Sequence, residues 1–373
     1  DREMDERVLQ GMKKIVHIVG TRPNYVKAAP VISAINFAEQ VVINTGQHYD
    51  KDLSADVIDS LNMRPPDISF QIPPNLGVFE RLSYLINNLS IEIENQAPDF
   101  IILYGDVDST MAAAIVASRM NIPIAHVESG LRSFDDRMPE EINRKIVDRL
   151  SSVHFVTEES AIKNLTNEGF VESICFVGNS MIDSLVSVMA SDSYKECKFE
   201  NNEKILLTCH RPSNVDSYES LVEVLEMCKR IRKPVVWPMH PRTMSRIKEF
   251  NLIQKFMDVE SLEIIGPLDY CSFLKMMATS KLVITDSGGI QEETTFLKVP
   301  CLTIRENTER PSTITEGSNM LVTFQQIEDV VKSIYDNNEK PSHIPELWDG
   351  KSSERISAHV LSFMENENPK KGD

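Results

Sequence analysis

Short apolar runs recur along the chain, and helical patterns fill the intervals between them. Ile15–Val19, Val41–Asn44, Phe100–Tyr104, Ile122–Val127 and Val153–Val156 are apolar throughout rather than alternating with polar residues. Runs of that kind suit strands of a parallel sheet covered on both faces. Between them the spacing predicts helices over Pro30–Phe37, Ser109–Met120 and Glu140–Ser151. The repeated βα order predicts a doubly wound domain. The order then starts again. Strands are predicted at Ile205–Thr208, Val235–Trp237, Leu262–Ile265, Leu282–Thr285 and Cys301–Ile304, with helices at Tyr218–Ile231, Thr243–Ile253, Tyr270–Ala278 and Gly289–Leu297. The chain is therefore read as α/β with two doubly wound domains. The polar stretch SDSYKECKFENNEK marks their join near Asp183–Glu203, giving an N-terminal domain over 12–183 and a C-terminal domain over 184–352. A last helix over Ser353–Asn366 fits either completion of the second domain or a return to the first. Met12-Lys13-Lys14 reads as a natural translation start, so residues 1–11 are read as an extension or tag.

Composition narrows the function. A length of 373 residues suits two domains, and a hydrophobic fraction of 41% supplies a sizeable core and excludes wholesale disorder. The 39 Lys+Arg against 56 Asp+Glu give a formal net charge of −17. That balance argues against a nucleic-acid partner, because no excess of cations is there to neutralise phosphates. It leaves room for an anionic small substrate, which local arginines and backbone N–H groups can hold. No apolar run reaches the roughly 18 residues that a membrane-spanning helix needs, so no membrane partner is expected. The start, Asp1 to Gln10, is charged where a signal peptide would be apolar. The six cysteines form no CxxC and lack metal-ligand spacing. Buried free thiols of a cytoplasmic protein, with no metal site, are the expectation.

Candidate chemistry gathers after the predicted strands, where α/β domains hold their ligands. Gly20-Thr21-Arg22-Pro23 follows the first strand: Gly admits an anion to the backbone and Arg22 offers a fork for phosphate, although a plain βα turn fits equally. Asp106 follows Phe100–Tyr104 and stands as either a helix N-cap or an acid/base group. Glu128 ends the strand before it in the same manner, and Glu140 opens a helix after Pro139. Arg144 lies one turn beyond Glu140, the spacing of a surface ion pair. The accumulation of Asp106, Glu128 and Glu140 on one sheet edge is what a surface reading does not explain; converging acids repel and raise one another's pKa values. In the second half His210 and His240 stand at strand tips, where each could transfer a proton or bond a phosphate, or equally be a structural histidine. The strongest signal is Thr285-Asp286-Ser287-Gly288-Gly289, a strand, a turn without obstructing side chains and a helix start. Such a turn cradles an anion. Glu293 lies just over one turn in, within reach of ribose hydroxyls, and Arg310 adds a cation after the next strand. No GxGxxG occurs, which weakens a nicotinamide or flavin reading.

With these residues in view, the chain resembles the non-hydrolysing UDP-N-acetylglucosamine 2-epimerases. The resemblance rests on GTRPNYVKAAP, NTGQHYD, YGDVDST, HVESGLRSFDDRMPEEINR, FVGNSMID, TCHRPSNVD, PMHPRT, TDSGGIQEET and ENTERP, which run in order from residue 20 to 311. It implies two Rossmann-like domains facing a central cleft, as in GT-B glycosyltransferases, with the C-terminal helix returning to the first. It also implies a homodimer, a UDP-sugar substrate and no cofactor. The implied reaction removes the C2 proton of UDP-N-acetylglucosamine, eliminates UDP in the anti sense to give 2-acetamidoglucal, and re-adds UDP to give UDP-N-acetylmannosamine. By motif match Asp106, Glu128, Glu140 and His210 take the catalytic places; which acid takes the proton and which returns it stays open. Arg22 and Lys27 match positions near the phosphates and the sugar, and Arg144 matches the arginine after the acidic pair. Ser287, Gly288 and Gly289 match the diphosphate cradle, Glu293 the ribose-binding acid, Arg310 the arginine of the ERP segment, and Phe273 the aromatic that stacks on uracil.

Three departures stand out. Asn24 replaces a Glu common after GTRP, Tyr49 replaces an Arg frequent in bacterial members after Gln-His, and Pro212-Ser213 replaces Arg-Glu after His-Arg. Those places lie near the second, activating substrate site of many bacterial members, so activation by substrate is not carried over. A relative acting on a UDP-diacetamido sugar would share most of these motifs. A GT-B-type glycosyltransferase, the reading from another class, needs an acceptor site and no C2 base, and the acid cluster argues against it.

Overall fold

The computed structural model describes residues 12–46, 58–199 and 203–366. The expected extension over 1–11 and the departure at Tyr49 lie outside them. The chain divides into two compact units: one runs to Ser187 and resumes at Glu346, the other is Val188–Pro345.

Among the described residues the first unit holds a seven-stranded sheet in the order β3-β2-β1-β4-β5-β6-β7. Its strands are β1 (Lys14–Val19), β2 (Glu39–Asn44), β3 (Ile68–Ser69), β4 (Phe100–Tyr104), β5 (Ile124–Ser129), β6 (Val153–Val156) and β7 (Ile174–Phe176). All pair in parallel, as Val16 with Val41 and Ile101, and Leu103 with His126. Every residue of β4 is buried, as a strand covered on both faces requires. Helices α1 (Arg22–Ala34), α2 (Val78–Gln96), α3 (Asp108–Arg119), α4 (Pro139–Leu150), α5 (Glu159–Asn167) and α6 (Ser180–Ala190) cover it.

In the first unit two differences from the sequence reading bear on the site. Helix α1 begins eight residues earlier than Pro30 and carries Pro30 inside it. Proline lacks the N–H that the Val26 carbonyl would accept from, a defect that normally ends or kinks a helix. Here the Ser184 hydroxyl on α6 donates to that carbonyl at 2.6 Å, so the helix continues. Strand β5 runs to Ser129, which places Glu128 inside it rather than after it. Helix α2 escaped the sequence reading although Leu85, Leu89 and Ile93 bury one stripe at helical spacing.

The last helix, α16 (Ser352–Asn366), lies with the first unit. The buried Asp183 carboxylate accepts from Ser352 N at 3.1 Å and from Ser353 N and Oγ at 2.6 Å, satisfying the helix start. Trp348 Nε1 donates to Thr157 O at 2.9 Å just before it.

The second unit repeats the plan with a six-stranded parallel sheet, ordered β10-β9-β8-β11-β12-β13. Its strands are β8 (Ile205–Thr208), β9 (Val235–Pro238), β10 (Leu262–Ile265), β11 (Leu282–Thr285), β12 (Cys301–Ile304) and β13 (Asn319–Val322). The helices are α7 (Asp192–Glu196), α8 (Pro212–Val215), α9 (Tyr218–Ile231), α10 (Pro241–Glu249), α11 (Ile253–Met257), α12 (Tyr270–Thr279), α13 (Gly288–Leu297), α14 (Ser312–Thr315) and α15 (Ile327–Tyr335). The single helix expected over Thr243–Ile253 is two, because Asn251 takes a left-handed conformation at φ 55° and breaks the run. The six cysteines are all free thiols, four buried and two, Cys175 and Cys197, half-buried. Among the described residues no helix is long and apolar enough to cross a membrane.

Candidate functional site

In the first unit the chemistry collects beyond the carboxyl ends of β1, β4 and β5. Arg22 and Pro23 open helix α1, with Arg22 half-buried. Asn24 braces this turn: its Oδ1 accepts from Gly20 N, Thr21 N and Thr21 Oγ1, each at 3.1 Å, and its Nδ2 donates to Tyr104 O at 3.0 Å. That bond ties the turn after β1 to the tip of β4. Gly105 follows at φ +68°, a conformation that favours glycine. A Cβ there would stand 3.1 Å from Lys27 Nζ and 3.9 Å from Glu128 Oε1, so the missing side chain makes room for both.

Lys27 and Glu128 form a buried ion pair at 2.7 Å. Glu128 takes φ 72° one residue before the end of β5, where the β5–β6 register shifts between Val127 and Ser129. A left-handed non-glycine residue within a strand is strained, and such strain persists where the surroundings over-determine it. The bulge explains why Glu128 escapes the simple alternation of a strand.

Asp106 is not an N-cap; Val107 caps α3, which begins at Asp108. Its carboxylate instead receives Arg144 Nη2 at 2.5 Å. Arg144 belongs to α4, whose buried residues are Glu141, Asn143, Arg144, Val147 and Asp148. A helix rarely turns so polar a face inward, since every buried polar group must find partners. Here they do. Asn143 Nδ2 donates to Asp106 O at 2.9 Å, and Arg144 Nη1 donates to Glu141 Oε2 at 3.0 Å. Arg144 is thus buried against Asp106 and Glu141, not a surface partner for Glu140. Glu141 also accepts from Ser133 N at 2.8 Å and Phe134 N at 3.1 Å, holding the loop that joins β5 to α4. Glu140 stands half-buried in the first turn of α4. The acids expected to repel one another are therefore interleaved with Lys27 and Arg144.

The second unit places its candidates beyond β8, β11 and β12. Asp286, directly after β11, is fully buried. It accepts from the backbone N–H groups of His210 at 3.0 Å and Arg211 at 2.8 Å, and from Asn214 Nδ2 at 3.0 Å. His210, half-exposed at its side chain, sets Nδ1 3.2 Å from the same carboxylate. Burial, and then the Asp286 charge, pushes the adjacent Cys209 thiol well above its ordinary range, so it stays a thiol beside the carboxylate.

Ser287, Gly288 and Gly289 follow, Ser287 as the N-cap of α13 and the glycines as its first residues. A Cβ on Gly288 would meet Arg310 Nη1 at 2.7 Å. Arg310 is buried, with Nε 3.0 Å from Glu292 Oε2 and Nη1 against Glu309. Glu293 is buried and accepts from Tyr270 OH at 2.9 Å. Phe273 is half-buried and packs against the cluster that includes Leu206, Val236 and Ile290. His240 caps α10, its side chain accepting from Arg242 N.

Sequence reasoning overlooked Asn24 as a brace, Glu141, Asn143 and Asp286. Asp286 had a usable signal, since it follows β11 as Asp106 follows β4. The roles of Asn24 and Asn143 arise only from contacts across the chain, which spacing does not reveal.

Comparison with known proteins completes the picture. A family profile described as UDP-N-acetylglucosamine 2-epimerase matches residues 32–361. A UDP-N-acetylglucosamine 2-epimerase of Methanocaldococcus jannaschii is 37% identical over 365 residues, covering 94% of this chain and 99% of the relative. A UDP-2,3-diacetamido-2,3-dideoxy-D-glucuronate 2-epimerase of Pseudomonas aeruginosa is 36% identical over 322 residues, covering 83% of this chain and 88% of the relative. The crystal structure of the Methanocaldococcus jannaschii UDP-GlcNAc 2-epimerase in complex with UDP-GlcNAc and UDP is 35% identical. It covers 94% of this chain and 99% of that one, with a TM-score of 0.85.

Proposed function

The chain belongs to the UDP-N-acetylglucosamine 2-epimerase family, and from that premise we propose that it interconverts UDP-N-acetylglucosamine and UDP-N-acetylmannosamine. The reading rests above all on one observation: Asp106 and Glu128, at neighbouring strand ends, each carry a buried cation, Arg144 and Lys27. A sugar C2 proton is weakly acidic, so the base must be held at contact distance before it reacts. Two carboxylates fixed in this way, with Glu140 near the start of α4, supply groups to take the proton from one face and return one to the other. The cations offset the charge of acids that would otherwise repel.

Elimination breaks the C1–O bond and pushes charge onto the β-phosphate of UDP. The turn at Ser287, Gly288 and Gly289 offers backbone N–H groups at a helix start for that charge. Arg310 lies beside it, and Glu293 is the acid for the ribose. His210, steadied by Asp286, serves the same chemistry from the end of β8, and Arg22 and Phe273 complete the contacts to phosphate and uracil. No redox step occurs, so the residues need no nicotinamide.

The test is NMR of the protein with UDP-N-acetylglucosamine in D2O. Deuterium is expected at C2 of the sugar in both epimers. Epimer formed with C2 fully protonated would overturn the mechanism. The Pseudomonas aeruginosa relative favours a second reading, a UDP-diacetamido sugar as substrate. Both sugar nucleotides offered in parallel decide it: exchange with the diacetamido sugar alone would move the assignment there.

A further inference from the structure

We infer that His126, charged against Asp148, is the positioning residue that fixes the turn presenting Asp106; the inference rests on the proposed role of Asp106. The three carbonyls around the tip of β4 are each held by a side chain. Asn24 holds Tyr104 O, Asn143 holds Asp106 O, and between them His126 Nε2 lies 2.7 Å from Gly105 O. A carbonyl only accepts, so Nε2 carries a hydrogen.

The other ring nitrogen, Nδ1, lies 2.5 Å from Asp148 Oδ1. That carboxyl group also faces Ser129 Oγ at 2.5 Å, Gly130 N at 3.0 Å and Arg132 Nη2 at 2.8 Å. Donors and a guanidinium surround it, so it is the ionised acceptor, and Nδ1 carries a hydrogen too. Burial alone would push the Asp148 carboxyl up, yet His126, Arg132 and Ser129 together hold it well below its ordinary range. The ring therefore donates through both nitrogens.

The other groups around the pair are accounted for. His154, opposite His126 on β6, sets Nε2 2.7 Å from Asp148 O, and Glu168 pairs with Arg132 at 2.7 Å. Glu128 is paired with Lys27. His126 and Asp148 are fully buried. They touch no reacting atom, so they act through the Gly105 carbonyl on the backbone that carries Asp106. A misplacement on the order of 1 Å at a reacting group lowers rate by about 10²-fold.

Two variants and one spectrum test this. Asp148→Asn removes the charge that keeps the ring a double donor, and His126→Gln replaces the ring with a single amide. Each is expected to lower kcat about 10²-fold while KM and UDP affinity stay within about twofold. In the unsubstituted protein, 15N-labelled histidine should show N–H signals at both ring nitrogens of His126 at neutral pH, assigned through its backbone correlations. Wild-type kcat in a folded variant, or a single ring N–H in that spectrum, overturns the inference. The spectrum decides even if neither variant folds. If the unsubstituted protein exchanges no C2 proton, the functional reading fails, and the ring spectrum still reports on His126 separately.

Discussion

Asp106 and Asp286 occupy the same place in two sheets of one design. β4 pairs with β1 and β11 pairs with β8, and each is followed within two residues by an acid that precedes a helix. Their surroundings are opposite. Asp286 is fully buried and gathers N–H groups from the turn after β8, so it holds other residues in place. Asp106 keeps 19% of its side chain exposed, and its backbone and carboxylate are themselves held, by Asn143 and Arg144. An acid that organises its neighbours is a structural keystone; an acid that its neighbours organise and leave part-exposed suits the catalytic role proposed for Asp106. Sequence position alone does not separate the two.

The contrast predicts opposite phenotypes for the two aspartates. Asp106→Asn should lower kcat about 10³-fold, within the range for loss of an acid/base group, with thermal stability and UDP affinity little changed. Asp286→Ala should act first on stability. It strands several buried donors, so a loss of about 3 kcal/mol is expected, measured by hydrogen exchange of the β8 and β11 amides. Normal turnover by the first variant, or unchanged exchange in the second, would erase the distinction.

Much of this was legible in the sequence, and the gaps have physical causes. The apolar runs gave β4, β8, β11 and β12 at their observed ends, because strands buried on both faces have no polar interruptions. Pro30 misled, because its cost is met by Ser184, more than a hundred residues away in sequence. Asp106, Glu128 and the Ser287 turn were visible as strand-tip residues. The pairing of a buried cation with each acid was not, since Lys27 lay ahead of the expected helix and Arg144 stood at the spacing of a surface pair until the fold brings them to Glu128 and Asp106. Glu128 was misplaced by one strand position, because a bulge leaves no mark in composition.

The units also differ in their histidines. Among the described histidines, His17, His126 and His154 of the first unit are fully buried and its His359 is exposed, whereas none of His210, His240 and His343 in the second is buried. His17 lies between Tyr104 OH at 2.8 Å and Gln40 Oε1 at 2.9 Å. Burial pushes its imidazole down from 6.5 to about 3. A histidine held neutral in the fold contributes stability that is present above its unfolded value and lost as pH falls toward the folded one. The loss is roughly 1.4 kcal/mol per pH unit below the unfolded value, so about 2 kcal/mol by pH 5. Hydrogen exchange should therefore show β1 amides loosening between pH 6.5 and 5, with β8 amides much less affected. His17→Gln should flatten that slope; an unchanged slope would assign the acid sensitivity elsewhere.

The smallest expected effect separates grip from chemistry. Gly105 and Gly288 follow the same two strands, yet a methyl group meets different neighbours at each. At Gly105 it would be strained by φ +68° and would press on Lys27, so Gly105→Ala should lower kcat and spare UDP binding. Gly288 has no such backbone demand. Its added methyl would stand 2.7 Å from Arg310 Nη1, and Arg310 has little room to yield because Glu292 and Glu309 hold it. Gly288→Ala should therefore weaken UDP about tenfold, near 1.4 kcal/mol, with kcat at saturating substrate within about threefold. Calorimetric titration with UDP, set beside steady-state rates, reads both. If Gly288→Ala instead lowered kcat and left UDP affinity intact, the turn after β11 would be acting on the reacting sugar, and the division between presenting and gripping strand tips would fail.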